Sequence, residues 1–386
     1  MQHSGQVRHA WRMFTVVLLF AWMPSVACSA EMDVPQLSVV WSTDVDGRKP
    51  ADALSFSAPT ITGEGEMSRI VIGGLDARVH VYDMRGKELF RLPLNKNCDS
   101  GAATLASGLV VLGDTEGTLY GVDAQKGEVI WQFSLSSPVT GVPLAVGDDV
   151  VVQTTDNNLY RIDAKGKKVW SFTSQQGGLS LYLSASPMLH GDHLYALLSN
   201  GDAVALDASN GDLTWRKQLL LDTDAALLSE LRAPQATPIW LPEWSINGQA
   251  MQDVVLFSFY QGDVMALARE DGRTIWTSAL PLKSAPLMDA HRLYIADGEG
   301  TLKAMSRVSG DPLWSIQLSH GELMGPVKWH DALWLSDNQG QLFRVSMEGK
   351  LLGKLALNGS FERLPIVTSQ GLLLHHSLGG LYLVHE

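Results

Sequence analysis

Residues 117–131 read GTLYGVDAQKGEVIW, and the polar and apolar positions within them define a unit that the chain repeats. Thr118 to Val122 is a run of branched, aromatic and leucine side chains with Leu119 on one face and Tyr120 and Val122 on the other. A strand apolar on both faces is one buried on both sides. Asp123 and Gly127 bracket the reversal that follows. An Asp side chain bonds backbone two residues on, and Gly tolerates the positive φ such turns need. Ile130 and Trp131 then open a return strand with a large apolar payload.

The unit recurs at residues 157–170, 201–215, 262–276 and 300–314, with looser copies at 77–90 and 340–353. A last copy at 379–386, GGLYLVHE, stops where its turn should begin. The turn glycines Gly86, Gly127, Gly166, Gly211, Gly272, Gly310 and Gly349 are spaced by 41, 39, 45, 61, 38 and 39 residues. A period near 40 built on strand, turn and strand is that of a β-propeller blade. Each blade, apolar on both faces, buries them only by stacking on neighbours around a ring. The final copy lacks its closing strand, and residues 37–45, LSVVWSTDV, supply a spare one with Trp41 at the blade tryptophan position. Pairing of the two ends would leave no free edge at the seam. The predicted fold is all-β: one eight-bladed propeller over residues 37–386, closed by its N- and C-terminal segments.

A small residue, a proline and a strand recur at the entry to blades, as in Ser57-Ala58-Pro59, Ser186-Pro187-Met188, Ala285-Pro286-Leu287 and Gly325-Pro326-Val327. Proline as first residue of a strand loses no ladder bond, so these are read as the innermost strands, with the residues before the prolines at the mouth of a central channel. Two stretches break the period. Residues 174–186, SQQGGLSLYLSAS, lengthen one connection and place Leu179, Leu181 and Leu183 in alternation. Between Trp215 and Gly262 the chain exceeds the common repeat by about twenty residues, including LLLDTDAALLSELRAPQ and the WLPEWSINGQAMQD stretch from Trp240. Loops longer than the norm, apolar ones especially, tend to carry function.

Arg8 and Arg12 precede an apolar run from Met13 to Met23, followed by Pro24 and small residues. That run is too short to span a bilayer and reads as a secretory signal over residues 1–27, followed by a tether over 28–36. Ser25-Val26-Ala27-Cys28 resembles a lipobox that would make Cys28 the lipidated first residue of the mature chain; ordinary cleavage after Ala27 or Ala30 is the alternative. Cys28 and Cys98 are the only cysteines, so no structural disulfide is expected. Without the first thirty residues the balance is 27 basic to 41 acidic side chains, which disfavours nucleic acid and anionic lipid as partners of the protein surface.

With these residues in view, the repeat resembles the quinoprotein-type unit A-x-D-x-x-x-G-x-x-x-W, matched in full by Ala205, Asp207, Gly211 and Trp215. An exported eight-bladed chain of this length, with Leu179-Ser180-Leu181 before Ser186-Pro187, resembles the BamB family of outer-membrane barrel-assembly lipoproteins. The resemblance implies a non-catalytic scaffold at the periplasmic face of the outer membrane that binds the central barrel protein, BamA, and aids insertion of β-barrel proteins. It implies partner contacts at Leu179, Leu181 and Tyr182 and, in the later insertion, at Leu231 and Arg232. Tyr182 stands where the family has arginine, and Ala233 and Gln235 lie where members can carry aspartates. An exported scaffold with another partner is the alternative.

Quinone-dependent oxidoreductases share the repeat, but the vicinal cysteine pair common beneath their quinone is absent and the chain is much shorter. His375 and His376 are adjacent, and on a strand they point to opposite faces. Asp83, Asp123, Asp163 and Asp207 recur at the turn, where Asp has a structural role. No catalytic residue, metal ligand, cofactor or small-molecule substrate is therefore predicted.

Overall fold

The structure, a computed structural model, describes residues 36–45, 54–174, 185–219, 237–242, 244–246, 249–251, 253–258, 264–278, 282, 284–307, 309 and 311–386. Their strands form eight four-stranded antiparallel sheets and one short extra hairpin. Blade 2 shows the plan: Ala103–Thr104, Val110–Gly113, Thr118–Asp123 and Glu128–Ser134 pair in that order, from inside to outside. Blades 1 and 3 to 7 occupy residues 60–93, 144–173, 188–218, 239–278, 287–317 and 323–356. Blade 8 takes Ile366–Val367, Leu372–His376 and Gly380–His385 from the C-terminus, and its outer strand is Ser38–Asp44. The two ends of the chain thus close the ring, as the spare N-terminal strand predicts.

The middle strands carry apolar side chains on both faces because both faces meet another blade. Tyr120 and Val122 pack with Val71, Val79 and Val81 of blade 1, whereas Leu119 packs with Val150, Val152 and Ile162 of blade 3. Equivalent clusters fill the other blade junctions, including the seam between blades 8 and 1, where Leu373, Leu381 and Leu383 meet Ile70, Ile72 and Tyr82. Each such buried side chain contributes roughly 1.5–3 kcal/mol.

The turn glycines serve a second purpose beyond positive φ. At Gly166, φ is 77° and an added Cβ would lie 2.8 Å from the ring of Trp131, in the preceding blade. The Trp131 indole N–H donates to the carbonyl of Ala164 in the same turn at 3.0 Å. Trp41 over Gly86, Phe90 over Gly127, Trp170 over Gly211, Trp215 over Gly272 and Trp314 over Gly349 repeat the packing. At these six junctions an aromatic of one blade therefore docks on its neighbour's turn. Ile130, read with Trp131 as apolar payload, instead faces outward and is 50% exposed, because alternate residues of an outer strand point away from the junction.

The recurrent turn aspartates do the expected work: Asp163 Oδ1 accepts from the N–H groups of Lys165 and Lys167, both at 2.8 Å. A second aspartate series, absent from the sequence reading, stands between the second and third strands. Asp114, Asp297 and Asp337 each accept two backbone N–H groups, for example Thr118 N–H on Asp114 Oδ1 at 2.8 Å.

Candidate functional site: the entry face and central channel

Antiparallel order divides the connections of each blade between two ends. The link from an outer strand to the next inner strand, and the turn between second and third strands, leave at one end, here the entry face. The other two turns, including those on which the tryptophans dock, leave at the opposite end. The two period-breaking stretches separate accordingly. Ser174 and Ala185, and Leu219 and Thr237, the described residues that border 175–184 and 220–236, stand at the entry face, before and after blade 4. The segment from Trp240 does not: Ile239–Leu241 is the inner strand of blade 5, and Trp244–Ile246 pairs with Gln249–Met251 in the extra hairpin before Val254–Ser258. What reads as one insertion is thus two, at opposite ends of a blade, because an inner strand runs between them.

The sequence-predicted contacts Leu179, Leu181, Tyr182, Leu231 and Arg232 lie outside the described residues, as does Cys28. The flanks of both links are described and are anchored in the blades. Ser174 Oγ accepts from Arg216 Nη2 at 3.1 Å, and Arg216 lies 3.6 Å from the carboxylate of Asp202. Ser186 Oγ accepts the N–H of Val142 at 2.7 Å. Beyond blade 4, Leu219 is buried and its N–H donates to the carbonyl of Gly201 at 2.9 Å.

Between blades 3 and 4 the same face carries Asn157, whose φ of 65° occupies the place that Gly117, Gly201, Gly300 and Gly340 take in other blades. Its Oδ1 accepts both the N–H and the hydroxyl of Ser199 at 2.8 Å. The sequence signal for this tie is an Asn standing where the repeat has Gly, since Asn tolerates the left-handed region and brings a hydrogen-bonding group. The Arg216–Asp202 pair is partly exposed, so its contribution to stability is small, about 1 kcal/mol or less; its effect is to position the chain at Ser174.

The inner strands enclose a cavity of about 690 Å³ along the axis. Ala58, Val142, Ser186, Thr237 and Ala285, each before a blade proline, line it as their spacing predicts, whereas at blade 7 Met324 lines it in place of Gly325. Apolar side chains dominate the rest, and His190 stacks on Trp240 with ring centroids 3.9 Å apart. Burial and the nearby Arg269 cation lower the His190 pKa, with Asp253 opposing them. Arg363 also lines the cavity, a residue that no motif flags.

His375 lines the same cavity, whereas His376 turns towards Tyr382 and Phe361, at centroid distances of 5.4 and 6.4 Å. The adjacent pair diverges as strand geometry requires. Among the described residues, no group of three or more His, Cys, Asp or Glu side chains is placed to hold a metal ion. Cys98 is buried, its Sγ 3.0 Å from the carbonyl of Gly113. Burial pushes its thiol pKa up to about 12, and so keeps it in the unreactive protonated form.

Blades of this repeat, docked by tryptophan on glycine and closed by the chain's two ends, define a propeller of the quinoprotein-repeat class. The family model described as outer membrane protein assembly factor BamB matches residues 75–262 and 242–363. The chain belongs to the BamB family. Outer membrane protein assembly factor BamB of Yersinia pestis is 25% identical over 355 residues, 89% of this chain and 87% of the relative. That of Bordetella pertussis is 24% identical over 394 residues, 94% of this chain and 97% of the relative. The crystal structure of BamB from Moraxella catarrhalis matches with a TM-score of 0.73 at 20% identity, covering 91% of this chain and 100% of the other. A quinohemoprotein alcohol dehydrogenase from Pseudomonas putida matches at 0.66 and 15% identity, covering 90% and 73%. These two structural likenesses show the shared fold.

Proposed function

We propose that this chain is a non-catalytic scaffold subunit of the machinery that inserts β-barrel proteins into the outer membrane. In this reading it binds the BamA-like central barrel protein through the links that flank blade 4, with Leu179, Leu181 and Tyr182 in the first and Leu231 and Arg232 in the second. The observation that supports the reading is that the described flanks of both links stand on one face and around one blade, anchored by Arg216, Ser186 and Leu219. Family membership supplies the kind of partner. A signal over residues 1–27 and acylation of Cys28 would tether the propeller to the periplasmic face of the outer membrane.

The test is co-purification from native outer membranes in mild detergent, with wild type and with Leu179→Asp/Leu181→Asp. The double variant should keep its strand content and lose the barrel protein; retained binding by a folded double variant would show the assignment to be wrong. Loss of fatty-acid labelling in Cys28→Ser would support the anchor. The second reading, an exported scaffold with another partner, is favoured by Tyr182 in place of the family's arginine. Recovery of a different stable partner in the same experiment would select it.

A further inference from the structure

The central channel holds a cation that the assembly role leaves unused. Arg363 precedes the inner strand of blade 8 and lines the cavity at the entry face. Its Nε and Nη2 donate to the carbonyl of Phe56 at 3.0 and 2.7 Å. No carboxylate among the described residues forms an ion pair with it, although Asp99 and Glu362 lie close by. Asp99 accepts the N–H of Phe56 at 2.6 Å and Glu362 accepts the hydroxyl of Ser360 at 2.7 Å. Burial lowers the Arg363 pKa, with Asp99 and Glu362 opposing it. Arg363 is half-buried, and its two hydrogen bonds to one neutral carbonyl leave Nη1 to meet a planar anion that enters from the channel.

The walls below this cation are of another character. Met188, Leu189, Ile239, Trp240, Met324 and Ile366 line the cavity, and His190 stacks on Trp240 away from the entry face. Among the described lining residues Arg363 is the only Lys or Arg and Glu362 the only carboxylate. The volume, about 690 Å³, falls in the range of sites that enclose one small molecule, and such sites pair an apolar wall with a few placed polar groups.

We propose that the channel binds one molecule that joins a carboxylate to an apolar body. The carboxylate sits on the free side of the Arg363 fork, at Nη1, and the apolar body runs along Met188, Ile239 and Trp240. Planar guanidinium and carboxylate groups match in geometry, which favours a carboxylate over a neutral polar head. A free fatty-acid-like molecule and the carboxyl terminus of a polypeptide present the same chemistry.

The test uses the full mature chain and four probes: decanoate, decanol, a short apolar peptide with a free carboxyl terminus, and its amide. Binding is read by titration calorimetry and by quenching of tryptophan fluorescence. At least one carboxylate probe should bind at one per chain, about tenfold or more tighter than its neutral analogue. Arg363→Gln should remove that preference. Binding of decanoate alone would identify a free acid, and of the peptide acid alone a chain terminus. If neither carboxylate binds wild type more tightly than its neutral analogue, the proposal is overturned, and this comparison stands even where the Arg363→Gln protein fails to fold. The channel site makes no use of the links around blade 4, so its failure and that of the assembly reading are separable.

Discussion

The junction between blades 2 and 3 and that between blades 7 and 8 fill the same space by opposite means. In the first, Trp131 lies on Gly166, whose missing Cβ makes room for the indole. In the second, the tryptophan position of the repeat is Gly353, and the side chain that meets it is Leu37, 3.3 Å from where a Cβ would stand. Blade 8 takes its outer strand from the N-terminus and so has no turn for a blade 7 tryptophan to dock on. The aromatic bulk moves inward instead, to Trp329, Trp334 and Phe361, packed with Leu37, Leu374 and Val384. Around them Arg344 forms an ion pair with Glu386 at 2.6 Å, and Trp329 stacks on His330 with centroids 4.6 Å apart. What a propeller preserves at a junction is filled volume; the device that fills it is local.

Removing the strand that makes the seam is the strongest challenge to that comparison. Deletion of residues 36–45 bares the edge of Gly380–His385 and removes Leu37 and Trp41 from two junctions. It should cost on the order of 5 kcal/mol or more, comparable with the stability of many domains, and drive self-association through the open edge. Urea unfolding with light scattering measures both, and a stable monomer would mean that the ends do not close the ring.

Among the regular junctions, Trp215→Ala removes a side chain packed against Tyr195 and Phe257. The expected loss is about 3–5 kcal/mol in denaturant titration.

A sharper contrast comes from adding one methyl group. Gly166→Ala meets both the Trp131 ring at 2.8 Å and a φ of 77°, for a cost of about 2–4 kcal/mol. Gly353→Ala meets only Leu37, at 3.3 Å, and should cost about 1 kcal/mol or less, since a leucine end can shift. Equal costs at the two sites would show that tryptophan docking has no special place in the ring.

The smallest effect separates aspartate turns from serine turns in acid. Asp123 has its pKa lowered chiefly by the hydrogen bond from the Lys126 side chain, with burial opposing and the N–H groups of Lys126 and Gln125 adding to the lowering. Its folded pKa lies below its unfolded value, so its contribution is fully present above the unfolded pKa and is lost as pH falls through the folded one. Amide exchange at Gln125 and Lys126, corrected for intrinsic rates, should therefore accelerate relative to neutral pH as pH drops below about 4. The blade 7 turn, where Ser346 Oγ accepts from Glu348 and Lys350 at 3.2 Å, has no carboxylate in that role and should show no matching step.

Much of this architecture is legible in the chain because it is written locally and many times over. Strand period, turn aspartate and turn glycine fall within about fifteen residues of each other, and each copy repeats the message. The candidate contacts at Leu179, Leu181, Tyr182, Leu231 and Arg232 rest on the resemblance and on the length of two links, which is weaker information. Arg363 had no signal at all: a single arginine in a loop acquires meaning only when the axis brings Phe56, from the far end of the chain, beside it.

The sequence by itself determined the blade, the number of blades and the use of the two ends to close them, since alternation, turn chemistry and a spare strand are properties of short stretches. Tertiary structure alone decided which tryptophan lies on which glycine, that the hairpin of Trp244–Ile246 and Gln249–Met251 leaves blade 5 at the end opposite to the links around blade 4, and which charge stands in the channel. Those facts depend on residues far apart in the chain, 35 positions for Trp131 and Gly166, set side by side by the closure of the ring, and closure is a property of all eight blades at once.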